Sequence, residues 1–317
     1  MEPNPEEEYA EFLDVYYPVY STVTDIIDSN WTWLPSRPRW SYFKDDRILL
    51  IEMRSLIHEA PLEHFSLIFT LFLHGFRHHD NPVDTRISMN SPLSSIVPDL
   101  VIQMDTVTDN YRSHEVLVIV ECAFAQEAGS VLRKIKCEIA GHPEVLMVIL
   151  VVIDENQQYR SPARTSEAWR MLRQEISPRS VSSFYSLQED TDRSHDQPIV
   201  IAGHTWCHLA SARFHIWVRG DEPINIDVDN NELQACGTLF PNRDMDAVDA
   251  MIEKGMVMMR DCIATSCQKA TPGSDITAIQ DSVITFHPKW DRLLISLKCG
   301  VWDIAYNRYL SWFDSAP

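Results

Sequence analysis

The sequence predicts an α/β protein: a central sheet of mixed direction flanked by helices, with a largely helical C-terminal extension. Three observations predict it. Residues 99–104, 116–123 and 145–153 are short runs dominated by Val, Ile and Leu, the composition of strands. The last run is continuous, which suits a central strand buried on both faces. Residues 55–76 carry Leu56, Leu62, Phe65, Ile68, Leu71 and Phe72 near helical spacing, and 127–139 set Val131, Leu132, Ile135 and Ile139 on one helical side. The resulting order is helix, strand, strand, strand, helix, strand.

Taken in order, residues 1–44 are acidic, then aromatic and proline-rich, and read as an extended lead-in draped over the core. A strand is expected at 47–53 (RILLIEM), opening a core unit of residues 45–175. In the following helix, Pro61 implies that regular structure begins near that residue. A short strand is expected at 85–89 and a helix at 166–174. Residues 178–197 are polar and serine-rich and read as a linker or insertion. The extension, 176–317, then offers β-like runs at 198–229 and two helices, at 246–268 and 288–313. Gly255 weakens the first slightly, and Gly300 marks an expected break in the second.

A chain of 317 residues can bury a sizeable core, and 45% apolar residues with 10% aromatics fit a folded protein rather than a disordered one. The longest apolar run, 145–153, is far short of the roughly 20 residues that span a bilayer, so no membrane partner is expected. The start, MEPNPEEEY, lacks the basic-then-apolar plan of a signal peptide. Seven cysteines without a CxxC pair read as reduced thiols in a cytoplasmic or nuclear protein. A formal charge of −19 works against nucleic-acid binding, whose affinity comes from basic groups, but leaves room for a local basic patch.

The chemistry lies at the ends of two apolar runs. Asp99 follows Pro98 at the head of one, and Glu121 closes the next, EVLVIVE. Neighbouring strands would bring both carboxylates to one end of a sheet, where they can hold Mg²⁺, a cation of hard oxygen ligands that usually takes one or two carboxylates.

Around Asp99 and Glu121, and in the preceding RILLIEMRSLIHEAPLEHFSLIFTLFL, the chain resembles the PD-(D/E)XK nuclease superfamily. The likeness is to nuclease-like proteins common in fungi and to bacterial restriction-endonuclease-like proteins. It spans roughly residues 45–155 and implies a restriction-endonuclease-like core. It also implies a Mg²⁺ (or Mn²⁺) site made by Asp99, Glu121 and the carbonyl of Cys122, assisted by Glu59 or Glu63 from the first helix. The lysine expected two residues after Glu121 is Ala123, and Ala125 stands where a serine is common. In related subfamilies the lysine comes from the following helix, which makes Lys134 and Lys136 candidates and Arg133 a weaker one. Gln126, at the strand-to-helix corner, is a candidate for orienting water or phosphate. The implied function is a metal-dependent phosphodiesterase cleaving DNA or RNA. The alternative is a catalytically silent nuclease-fold module that binds a protein or a nucleic acid.

Other features have plainer readings. Arg133, Lys134 and Lys136 fit a solvated helix face as well as a phosphate-facing one. His74, His78, His79 and Asp80 read as a helix C-terminus complementing the dipole rather than a metal site. His58 reads as a cap or packing residue, with a place near the site as the alternative. Cys207–His208 and Cys262/Cys267 lack zinc spacing. The methionines of 251–259 and the closing aromatics (Trp302, Tyr306, Tyr309, Trp312, Phe313) read as core packing.

Overall fold

The structure, a computed structural model, describes residues 9–30, 39–52, 55–76, 83–89, 93, 96–108, 111–124, 128–188 and 197–315. Its elements in chain order are β1 (Tyr9–Phe12), α1 (Tyr17–Asn30), β2 (Arg39–Phe43), β3 (Ile48–Glu52), α2 (Leu56–His74), β4 (Val83–Met89), β5 (Leu100–Thr108) and β6 (Tyr111–Phe124). There follow α3 (Ala128–Gly141), β7 (Met147–Glu155), α4 (Glu167–Leu172), α5 (Val181–Tyr185), β8 (Ile199–Ile201), β9 (His204–Cys207), β10 (Leu209–Val218), β11 (Gln234–Phe240), α6 (Asp246–Ala270), α7 (Thr277–Gln280) and α8 (Trp290–Ser315).

Six strands form one mixed sheet in the order β11-β10-β7-β6-β5-β4. Only β6 and β7 run parallel, joined through α3; the other neighbours are antiparallel. Side chains along β7 alternate between the two faces, as the pleat requires. Met147, Ile149, Val151 and Ile153 join the core beneath α2, α6 and α8, while Val148 and Leu150 join the core beneath α3. This explains the unbroken apolar run: both faces of β7 are covered. A second sheet, β1-β3-β2, lies against the α3 side, where Phe43, Ile48 and Leu50 pack with Ile96 and Cys137.

Several expectations change. The N-terminal stretch read as an extended lead-in contains α1 and two strands of the small sheet. Helix α2 begins before Pro61, because Ser55 caps it with its hydroxyl accepting from the His58 N–H at 3.4 Å. Within the serine-rich 178–197 stretch, α5 buries Phe184, which stacks on Tyr309 at 4.5 Å; residues 189–196 lie outside the described residues. The sheet also continues into the C-terminal part, since β10 pairs with β7 and β11 with β10. Strand β11 carries Gly237 where a side chain would strike Asp244 O and Val248 Cγ2, both 2.7 Å away. That close backbone approach leaves no room for a side chain at this position.

By length and composition α2 is a helix that can cross a bilayer. Here it is a core helix, with Ile57, Leu62, Phe65, Phe69 and Leu73 buried against α8 and the sheet. The methionines Met251, Met256 and Met259 are buried in α6, as are Tyr309, Trp312 and Phe313 in α8, in line with the packing reading.

Helix α8 runs unbroken through Gly300. The glycine serves a close crossing instead: a Cβ there would lie 2.7 Å from the Ile57 amide nitrogen and 2.8 Å from its Cα. Backbone cannot yield as a side chain does. Gly300→Ala is therefore expected to destabilise the protein by about 1–3 kcal/mol, read as a lower midpoint in chemical denaturation.

Candidate metal and catalytic centre

The register of β5 and β6 builds the centre. Leu100 pairs with Val120, so Asp99, one residue before β5, falls beside Glu121 near the end of β6. Pro98 has no N–H and ends the ladder there. The Asp99 N–H instead donates to Glu121 Oε1 at 3.1 Å, and the Cys122 N–H donates to Asp99 Oδ2 at 2.7 Å. A further bond, from the Val97 N–H to Ser41 Oγ at 3.2 Å, ties this corner to β2. Glu121 lies between Val120 and Cys122, which face α2, so its side chain points to the α3 side.

Helix α3 supplies the cation. Its Lys134 is fully buried, with Nζ at 2.7 Å from Glu121 Oε2 and 3.3 Å from both Asp99 Oδ1 and Glu52 Oε2. Glu52 closes β3 and pairs across the small sheet with Arg39 of β2. The Arg39 guanidinium donates to Asp99 Oδ1 and lies 3.1 Å from His58 Nε2. His58, three residues into the capped turn of α2, sits 3.2 Å from Asp99 Oδ2. Of its two readings, a cap or packing residue and a place near the site, the second holds: its ring is a partner of the acid. Two further acids flank the group. Glu138 of α3 is 2% exposed, and Glu59 Oε1 lies 3.6 Å from His58 Nδ1.

The remaining candidates separate cleanly. Lys136 is half exposed and pairs with Asp227 at 2.8 Å, away from the acids. Arg133 bonds Glu11 at 3.2 Å. Glu63 is exposed on α2, and Glu59 borders the centre beside His58. The Cys122 side chain is buried on the other face, and only its backbone borders Asp99. Gln126 lies outside the described residues, as do Ala125, His78, His79 and Asp80. Arg39, Glu52 and Glu138 were not foreseen. Glu52 had a signal, because it closes RILLIE as Glu121 closes EVLVIVE. Arg39 had none.

Charge in this centre is uneven. Burial opposes the Asp99 carboxylate, but Arg39, Lys134 and His58 outweigh it and hold the group well below the usual carboxylate range. Burial pushes Glu121 well above that range, aided by the charges of Asp99 and Glu138, with Lys134 only partly offsetting them. Glu138 is pushed up to about 8, again chiefly by burial. His58 rises to about 9: burial opposes its charge, and contact with Asp99 prevails. The Lys134 ammonium is likewise held charged against burial by Asp99, Glu121 and Glu52. Acids thus outnumber what the internal cations neutralise, and the excess sits on Glu121 and Glu138.

Carboxylate oxygens are the donor type that a hard divalent cation takes. Among the described residues no three His, Cys, Asp or Glu side chains converge as a metal group, yet Mg²⁺ needs only one or two carboxylates from a protein. Asp99 and Glu121, bridged by one ammonium, provide such a pair. A cavity of about 510 Å³ lies elsewhere, beside α8, lined by Glu155, Tyr159, His204, Trp206, Cys207 and Arg308.

Fold and site together define a mixed α/β protein with a buried acid–lysine centre at one end of its sheet. Comparison with protein-family profiles, with curated proteins and with solved structures finds no match.

Proposed function

We propose that the chain is a Mg²⁺- or Mn²⁺-dependent phosphodiesterase cleaving DNA or RNA, built on a PD-(D/E)XK nuclease-like core. The observation that carries this reading is Lys134, whose ammonium bridges Asp99 and Glu121. It supplies from the following helix the cation that Ala123 cannot. Asp99 and Glu121 hold the metal ion, which when bound provides Lewis-acid polarisation of a phosphate and of water. Lys134 stabilises charge that develops on the phosphate oxygens. Arg39, His58 and the Cys122 N–H fix the Asp99 carboxyl, so it is held in place before any ligand arrives. Free cysteines throughout agree with a cytoplasmic or nuclear setting.

A second reading, the silent module that binds a protein or nucleic acid, is favoured by the burial of the centre. Asp99 and Lys134 are 0% exposed and Glu121 1%, and both Asp99 oxygens already accept from the chain's own donors. One assay separates the two. Single- and double-stranded DNA and RNA are incubated with Mg²⁺ or Mn²⁺ and either wild type or Glu121→Ala. Cleavage that requires metal and vanishes in the variant is expected. Absence of cleavage by folded wild type on every substrate, across pH and both metals, would favour the silent module.

A further inference from the structure

Acids outnumber Lys and Arg 46 to 27 along the chain, but residues 160–179 reverse that balance, with five arginines against Glu167 and Glu175. Two of the five are tied into the fold. Arg179 pairs with Glu175 at 2.6 Å. Arg173 donates to the Phe313 carbonyl at 2.6 Å and lies 5.4 Å from the Trp169 ring, which anchors the segment on α8. The other three, Arg160, Arg164 and Arg170, are exposed, and among the described residues none of them pairs with a carboxylate. Arg164 lies over the Trp169 ring at 5.7 Å.

The cavity of about 510 Å³ beside α8 borders this segment and is lined in part by Arg160, Gln157 and Gln158. Its one acid does not oppose an anion. Glu155 accepts from both Arg308 guanidinium nitrogens at 2.7 Å and from the Cys207 thiol at 3.3 Å. Topology sets the arginines at the acid centre's end of the sheet. Strand β7 runs parallel to β6, so the chain leaves β7 for residues 156–173 at the end where Glu121 and Phe124 close β6. An acidic chain thus carries, at that end, planar guanidiniums of the kind that recognise phosphate.

We propose that Arg160, Arg164 and Arg170, with the adjoining cavity, form the surface on which the chain binds the phosphate backbone of a nucleic acid. The inference rests on the nucleic-acid half of the reading above and on neither the metal nor cleavage. A guanidinium without a carboxylate partner gives up no ion pair to take a phosphate, and each phosphate it neutralises releases counterions from the strand. A local patch of this kind is how a chain of net charge −19 holds a polyanion. Its place at the acid centre's end of the sheet favours a nucleic acid over an acidic peptide as the occupant.

The test is fluorescence anisotropy of labelled single- and double-stranded DNA and RNA with the full chain, in EDTA, between about 50 and 200 mM salt. Wild type is compared with the triple variant Arg160→Gln/Arg164→Gln/Arg170→Gln. A second triple, Lys136→Gln/Lys254→Gln/Lys269→Gln, removes the same charge from exposed positions elsewhere. Wild type should bind, and the arginine triple should bind at least about ten-fold more weakly, its salt slope smaller by about 2–3. The lysine triple should match wild type. If the arginine triple fails to fold, Arg160→Gln and Arg170→Gln are read singly, each lowering the slope by about 0.7–0.9. Equal weakening by the two triples would reduce the effect to net charge and overturn the patch, as would no weakening by either. Polyglutamate competing as well as DNA at equal charge would assign the surface to an acidic protein and also overturn it. No nucleic-acid binding by wild type would overturn the patch together with the phosphodiesterase reading. Arginine-dependent binding by a protein that cleaves nothing with Mg²⁺ or Mn²⁺ would keep the patch and overturn that reading alone.

Discussion

Lys134→Met is expected to lower stability by about 3–5 kcal/mol at pH 8, the usual cost of removing one partner from a buried ionic group, and to abolish metal-dependent cleavage. The lysine head is the shared partner of Glu52, Asp99 and Glu121, so its loss strands several acids in a dry site. Acids so stranded can relieve the cost by taking up protons. The deficit should therefore shrink as pH falls toward 5, which distinguishes lost charge from lost packing. Lys136→Met is the control. Its partner Asp227 is 65% exposed, and surface pairs of this kind contribute about 0–1 kcal/mol. Urea denaturation of both variants at pH 5 and pH 8 reads the contrast directly.

Stability of the wild-type protein should itself fall as pH rises from about 5 to about 9. Three groups set the sign: His58, Glu138 and Glu121, the last with a carboxyl that burial also pushes well above the usual range. His58 binds its proton up to about 9 in the folded protein against an ordinary 6.5. Its contribution is full below 6.5 and disappears as pH climbs through 9. Glu138 is raised from 4.5 to about 8, so the folded state keeps a proton that the unfolded chain gives up between those values. Its effect has the same direction: stability declines with rising pH across that window. The His58 shift corresponds to about 3 kcal/mol and the larger Glu138 shift to about 5 kcal/mol. Asp99 opposes them in acid. Its depressed carboxyl contributes stability above its unfolded value of 3.8, which is lost as pH falls through the lower folded value. The optimum accordingly lies near pH 5. Glu138→Gln should flatten the limb between 4.5 and 8 while sparing the fall between 8 and 9, as urea midpoints across pH would report.

Much of this arrangement was legible before the structure. The acid pair could be read because each carboxylate borders an apolar run, and antiparallel pairing of two such runs places a head beside a tail. The mixed sheet followed from run length and order. The lysine could not be chosen by the same logic. Along a helix at about 100° per residue, Lys134 and Lys136 stand about 100° to either side of Ile135, so the apolar stripe alone favours neither. What decides is that the buried arc of α3 extends through Ser130 and Glu138, polar residues that a hydrophobic pattern does not count. Arg39 was invisible for another reason. It enters the centre only because β2 pairs with β3, a non-local contact made from an aromatic and proline-rich segment without strand periodicity. Gly300 shows the converse, a residue whose propensity suggested a break and whose real constraint is the backbone of α2.

The account turns on whether Asp99 and Glu121 hold a divalent cation beside Lys134. Anomalous diffraction from crystals grown with Mn²⁺ asks this most directly. The account predicts one peak at coordination distance from both carboxylates, absent in Glu121→Ala. Ordered carboxylates with no peak at saturating Mn²⁺, and Lys134 still bridging them, would contradict it.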